Sequence, residues 1–295
     1  MQMTQRSAVL YLTKGWRPVH TLRFQRLRRQ VAGLADCYVL YQSATGAVPD
    51  ALRYACDGAV HVFRVCELPN RLGYDYLTPA GVVPGSAHYP LIDFYKSHAY
   101  RHYWLIEDDV EFSGNWAMLL RACADTEAGL LASHVMRHPD APDWVWWGSM
   151  RAAFPWNLAM RSRVGKLCKA FLPICRLSWD ALHMIDRLQR RGWTGHCEVL
   201  MPTAIANAGL QIVDLNTIAP LYRGTAQDPV VDVARQSTLR WRPEVSLTEF
   251  VQTFTPDTIY HPVKGDWTFD GSKVVATQDD CVDQAQPAVG VTSLL

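Results

Sequence analysis

With 295 residues, 49% hydrophobic and 19% charged, the chain has the balance of a globular protein and room for one large α/β domain or two small ones. A formal net charge of +1 excludes bulk nucleic-acid binding, which needs a strong basic excess or stripe, while local clusters leave small anionic substrates open. Eight cysteines without a C-x-x-C pair suggest neither a zinc knuckle nor a disulfide framework, so they are expected to be mostly buried thiols of a reducing cytoplasm. No basic segment followed by an apolar one opens the chain and no window reaches about 18 apolar residues, so a soluble, unsecreted protein is expected.

Residues 8–12 (AVLYL) read as a short strand and the periodic, basic stretch 19–33 as a helix. Residues 37–41 (CYVLY) and 59–65 (AVHVFRV) read as the next two strands, an alternation that predicts βαβ units around a parallel sheet. A helix over 90–102 then feeds a strand at 103–106, the fourth in order. Beyond it, 116–124 reads as helix, 129–135 as strand, 167–176 (LCKAFLPICR) as a strand interrupted by a proline, 178–191 as a helix capped by Ser178, 197–208 as helix and 210–214 as strand. The segment 139–157, with three prolines and four tryptophans, predicts an ordered loop forming either a binding wall or a cover for a sheet face. Residues 224–249 are polar and loop-rich, and 272–295 read as a frayed tail.

The run YWLIEDDVEF at 103–112 places Glu107, Asp108 and Asp109 directly after a buried strand. Three ionised carboxylates at such a junction repel one another and resist desolvation, so full solvation, a basic partner or a bound cation must relieve them. In open α/β sheets ligands sit beyond the carboxyl ends of strands, which favours the cation. Two later features would complete a site. Glu198, in the segment GHCE at 195–198, stands at a helix start beside a glycine, where it either serves the helix dipole or accepts a proton from a hydroxyl. His261 and Lys264, in HPVK, offer an imidazole ligand and a phosphate-binding ammonium, or a structural histidine and a solvated lysine. One carboxylate, one imidazole and phosphate oxygens suit Mn²⁺ or Mg²⁺.

A strand ending in EDD a third of the way along, an aromatic loop, an acid in G-H-x-E and a late H-P-V-K together resemble a metal-dependent glycosyltransferase of the GT-A fold, over roughly residues 7–265. The EDD form is similar to that of N-acetylglucosaminyltransferases, and the whole arrangement resembles bacterial polysaccharide glycosyltransferases, galactofuranosyltransferases among them. The resemblance implies an α/β fold with a Rossmann-like, mixed but mostly parallel sheet flanked by helices. It implies one domain over 1–271, with a nucleotide-sugar half to about residue 115 and an acceptor half beyond it.

It also implies roles: Asp109 and His261 as metal ligands, Glu107 and Asp108 near the ribose and transferred sugar, Lys264 on the diphosphate and Glu198 as general base of an inverting transfer. Nucleotide contacts are expected around residues 12–17, Glu67 and Asp75. The acceptor side would use Trp144, Trp146, Trp147 and Trp156 as flat surfaces, with Arg176, Ser178 and His196 as polar contacts. The partners implied are a nucleotide-sugar donor, UDP-linked, and a glycan or lipid-linked glycan acceptor in bacterial surface polysaccharide synthesis. Arg23, Arg26, Arg28 and Arg29 on one helix, and Arg161, Arg163, Lys166 and Lys169 on a later stretch, form basic faces that are either solvated or rest on anionic lipid at the inner membrane face. Three other readings compete. Clustered carboxylates with a histidine also serve metal-dependent phosphohydrolases and nucleases, the tryptophans suit a non-catalytic sugar-binding module, and His196-Cys197-Glu198 mimics half of a zinc deaminase motif whose P-C-x-x-C half is absent.

Overall fold

A computed structural model describes residues 4–74, 86–152, 167–222, 244–252, 254–270 and 273–276. Asp75, Trp156, Arg161, Arg163 and Lys166, together with most of 224–249 and 272–295, lie outside them.

The first strand, β1 (Thr4–Thr13), is followed by helix α1 (Pro18–Gln30), β2 (Ala35–Gln42), α2 (Asp50–Ala55), β3 (Val60–Phe63), α3 (Leu68–Leu72), α4 (His88–Ser97) and β4 (Tyr100–Glu107). Then come β5 (Glu111–Phe112), α5 (Trp116–Ala122), β6 (Leu130–Arg137), β7 (Cys168–Ser178), α6 (Trp179–Gln189), α7 (Cys197–Asn207), β8 (Ile212–Asp214), α8 (Leu215–Ile218), α9 (Leu247–Gln252), β9 (Ile259–Tyr260), β10 (Trp267–Asp270) and β11 (Lys273–Ala276). Seven strands make one mixed sheet in the order β3-β2-β1-β4-β7-β6-β8. Its pairings are parallel except at β7, which runs antiparallel to both β4 and β6.

Alternation along the strands explains the layers. Ala8 and Leu10 of β1 and Tyr103 and Leu105 of β4 face the core under α4, α6 and α7, whereas Val9, Tyr11, Trp104 and Ile106 face the core under α1, α2 and α5. The strand β4 starts at Tyr100, three residues before the expected 103, and α4 ends at Ser97. The reason is tertiary: Tyr100 and His102 pair with Thr4 and Ser7 of β1, and His102 pairs with Ser178 of β7, which outweighs the helical periodicity of 90–102.

The proline in β7 has a defined consequence. Ala170 and Leu172 share a face with Cys175 and Leu177, so the parity of the strand changes at Pro173, where the pairing with β6 also shifts register. Proline has no ladder donor and settles at such an irregularity. The bend leaves residues 168–172 paired only with β6, clear of β4.

Two arginines expected on a surface face are buried instead. Arg23 and Arg26 are 4% and 2% exposed. Arg23 Nε lies 2.9 Å from Glu111 Oε1 and Arg26 Nη1 lies 3.1 Å from Glu111 Oε2. Arg23 also donates to the carbonyls of Asp108 and Trp267, each at 2.8 Å, tying α1 to the end of β4 and to β10. Arg28 pairs with Asp57. Lys169 of the second basic stretch is buried too. Of the first cluster only Arg28 and Arg29 thus stay outside the interior, and of the second only Lys169 lies among the described residues. Among the described residues no helix is long and apolar enough to cross a membrane.

Burial pushes the Glu111 carboxyl up, and the two guanidinium groups pull it back down. Glu111→Ala strands two buried cations and is expected to lower unfolding free energy by about 3–5 kcal/mol. Urea denaturation measures it, and a loss under about 1 kcal/mol would mean that water replaces the carboxylate.

Candidate functional site

Glu107 is the last residue of β4, at the centre of the sheet. The chain then turns through Asp108 and Asp109 into β5, which pairs antiparallel with β9, Glu111 opposite Tyr260. That small ladder carries His261 back to the turn, and the Val263 amide donates to the Asp109 carbonyl at 2.8 Å. Ligand atoms of Glu107, Asp109 and His261 consequently lie within 4.8 Å of one another. His261 Nε2 is 3.6 Å from Asp109 Oδ1 and 3.7 Å from Glu107 Oε2. The ring of Phe171, on the bent half of β7, meets the His261 ring edge-on at 5.4 Å and fixes its plane.

The donor set fits a divalent cation. Asp109 Oδ1 is buried without a hydrogen-bond partner, which is costly unless something positive meets it. Lys264 Nζ contacts the other oxygen, Asp109 Oδ2, from an exposed position. The loop bearing Lys264 is held by Arg17, which pairs with Asp266 at 2.6 Å and donates to the Lys264 carbonyl at 3.3 Å.

Asp108 is differently engaged. Its carboxylate accepts from Thr13 Oγ1 and its carbonyl from Tyr11 Oη at 3.1 Å, so it fastens the end of β1 to the end of β4. Glu67 pairs with Arg64 at 2.7 Å.

On the same side of the sheet as the cluster's charges, which act on its carboxyl, Glu198 opens α7. Gly195, at φ +159, brings the chain against Met150, where an added Cβ would lie 3.2 Å from the Met150 Cα. The His196 amide donates to Ser149 Oγ at 3.0 Å, and Arg151 bridges to Thr194. These contacts pin the tryptophan loop to the start of α7. His196 caps the helix, its Nδ1 accepting from the Glu198 amide at 3.3 Å. Trp146 stacks on the His196 ring at 4.5 Å and stays 40% exposed.

Burial, and then the charge of Glu107, push the Glu198 carboxyl up to about 7, while Lys169, the Leu172 amide and His261 pull the other way. A carboxyl at that value exchanges its proton near neutrality, as a general base must. It has a cost for folding. A carboxyl raised in the folded state contributes stability at acid pH that is lost as pH rises through about 7. Glu198→Gln is thus expected to leave stability unchanged near pH 4.5 and to raise it by about 2–3 kcal/mol at pH 8.5, read by urea unfolding without metal. Equal stabilities at pH 8.5 would place the carboxyl in an ordinary environment.

Several expected contacts lie elsewhere. Arg176 is buried in mid-β7 opposite Trp104, and its guanidinium donates to the carbonyls of Cys123 and Thr126, closing the end of α5. Ser178 caps α6, accepting from the Ala181 amide at 3.1 Å, at the opposite end of the sheet from Glu107. It lines a separate cleft of about 830 Å³ with Lys96, Arg101 and Asp186, whose charged groups are already paired. Both residues were drawn toward the acceptor side by sequence position, whereas the antiparallel direction of β7 carries its C-terminal end away.

Trp147 is buried with Trp193, Val199 and Leu200, its Nε1 donating to the Ala141 carbonyl at 2.6 Å, so it packs the wall and Trp146 presents the open surface. Phe171 and Asp266 carry no signal in the sequence, and Thr13 and Arg17 are marked there only as part of the segment 12–17. None belongs to a motif, and only the register of β7 and the return of β9 bring them to the site.

No family model matches the sequence, and no curated protein matches it. Solved structures give partial likenesses. Glucosyl-3-phosphoglycerate synthase from Mycobacterium tuberculosis, in complex with Mg²⁺ and uridine diphosphate, is 14% identical with a TM-score of 0.40, over 71% of this chain and 68% of its own. Core-mannan synthase A from Aspergillus fumigatus, in a Mn/GDP form, is 11% identical with a TM-score of 0.39, over 72% and 73%. The likeness is to proteins solved with a nucleoside diphosphate and a divalent metal. At this level it decides nothing about this chain, whose own side chains carry the reading below.

Proposed function

We propose that the protein is a metal-dependent glycosyltransferase that moves a sugar from a nucleoside diphosphate, UDP by preference, to a hydroxyl of a glycan or lipid-linked glycan, with inversion. One observation carries the reading: Glu107, Asp109 and His261 converge within 4.8 Å at the end of the central strand, and the charges of Glu107 and His261 act on Glu198, a carboxyl pushed to about 7.

Glu107, Asp109 and His261 would hold Mn²⁺ or Mg²⁺, whose charge offsets the one that grows on the departing diphosphate. Lys264 adds a second positive group beside those oxygens. Glu198 takes the proton of the acceptor hydroxyl as its oxygen attacks the anomeric carbon, and attack opposite the leaving group inverts that centre. Trp146 gives the acceptor ring a flat, half-exposed surface, and His196 holds Trp146 and the Glu198 backbone in place. Bacterial surface polysaccharide synthesis is the setting that the sequence resemblance suggests.

Thermal unfolding tests the reading. UDP with Mn²⁺ is expected to raise the Tm, since a ligand bound only by the folded state at 100 times its Kd adds about 2.7 kcal/mol. UDP, GDP and CDP all leaving the Tm unchanged with Mn²⁺ present would sink the assignment.

A further inference from the structure

Beside the tryptophan loop stands a cation that the proposed reaction does not employ. Lys169 stands on the bent half of β7, two residues before Phe171, and is only 7% exposed. Its Nζ lies 5.1 Å from the ring centroid of Trp144, over the face. Among the described residues that ammonium has neither a hydrogen bond nor an ion pair. An ammonium on so buried a side chain loses part of its hydration, and one aromatic face returns less than a hydrogen-bonded anion would.

The arrangement is held in place. Trp144 packs edge-on against Trp147 at 4.9 Å, in the cluster that includes Val199, the residue after Glu198. The charge of Glu198 acts on Lys169, yet the Glu198 carboxyl shares its proton near neutrality and is no permanent counter-ion. The three ammonium protons thus lack an acceptor in the part of the fold where Trp144 packs with the residue after Glu198.

We infer that Lys169 recognises an anionic acceptor, a carboxylate or phosphate borne on the same small molecule or terminal residue as the hydroxyl that is glycosylated. The inference rests on the transferase reading above and adds the substrate's charge to it. A charge-assisted hydrogen bond in so dry a place discriminates strongly against the neutral analogue, because without the anion the ammonium stays unpartnered.

Calorimetric titration of the full chain, saturated with Mn²⁺ and UDP so that the diphosphate position is filled, tests this with D-glucose, D-glucuronate and D-glucose 6-phosphate. At least one anionic sugar is expected to bind about tenfold more tightly than glucose. Glucuronate winning identifies a carboxylate, glucose 6-phosphate a phosphate. Lys169→Met should erase that preference while glucose affinity stays within about twofold, and Lys169→Arg should retain part of it.

Wild-type protein with no preference for either anion, or a Lys169→Met protein that keeps it, would overturn the inference. Stabilisation by Mn²⁺ and UDP, measured first on each variant, separates the possible failures: if the wild type lacks it the transferase reading falls as well, and if it is present without anion preference only this inference falls. Should Lys169→Met not fold, Lys169→Gln replaces it.

Discussion

Glu198→Gln is expected to reduce sugar transfer by about 10²–10⁴-fold while leaving the stabilisation by UDP and Mn²⁺ intact. Glutamine keeps the shape and fills the same space at the start of α7, but it cannot accept the hydroxyl proton. The wild-type rate should climb as pH rises through about 7, because the carboxyl, lifted by burial and by Glu107, must be charged to act. In the variant that limb should vanish. A donor found by screening uridine, guanosine and cytidine diphosphate sugars supplies the assay. A Glu198→Gln enzyme with near-normal turnover would move the base elsewhere.

Asp109→Ala is expected to remove the Mn²⁺-dependent part of the UDP-induced rise in Tm, together with transfer. Asp109 would supply one of three converging ligand atoms and contacts Lys264, while the Asp108 carboxylate is engaged by Thr13. The fold should survive, because Lys264 is exposed and returns to water. Losing one of three protein ligands weakens metal binding by about 100-fold or more, judging by the 10–100-fold that outer-shell partners alone are worth. A full Mn²⁺·UDP response in Asp109→Ala would dissociate the acidic turn from the metal.

The two substitutions separate the halves of the mechanism. Asp109→Ala is expected to remove the Mn²⁺-dependent nucleotide response and transfer together, and Glu198→Gln transfer alone. A protein in which both abolish the thermal response would have Glu198 acting on the donor side, beside Glu107.

Local signals made much of this legible. The strand run before Glu107, the capping Ser178 and the alternation of strands and helices are short-range patterns, and apart from the α4–β4 boundary the elements formed where those patterns stand. The acidic triplet, Glu198 and the H-P-V-K segment were readable for a similar reason, as charge or imidazole in places where burial makes them expensive. Misreadings came where the partner of a residue is distant in sequence. Arg23 and Arg26 read as a basic face because Glu111, which neutralises both, lies 85 residues from Arg26. Arg176 and Ser178 read as acceptor contacts because nothing local states that β7 runs against its neighbours.

The amino-acid order by itself determined most strands and helices and set Glu107, Asp108 and Asp109 at a strand end, since propensity, capping and periodicity act over a few residues; it did not determine that residues 100–102 leave the helix for β4 or that Arg23 and Arg26 are buried. Only the tertiary structure decided which of those charges meet. The β5–β9 pairing sets His261 beside Asp109, and the slip at Pro173 turns Phe171 and Lys169 toward the cleft. Such juxtapositions depend on register between strands distant in sequence, as Glu111 and Tyr260 are, and a single-residue slip reverses every side chain it touches.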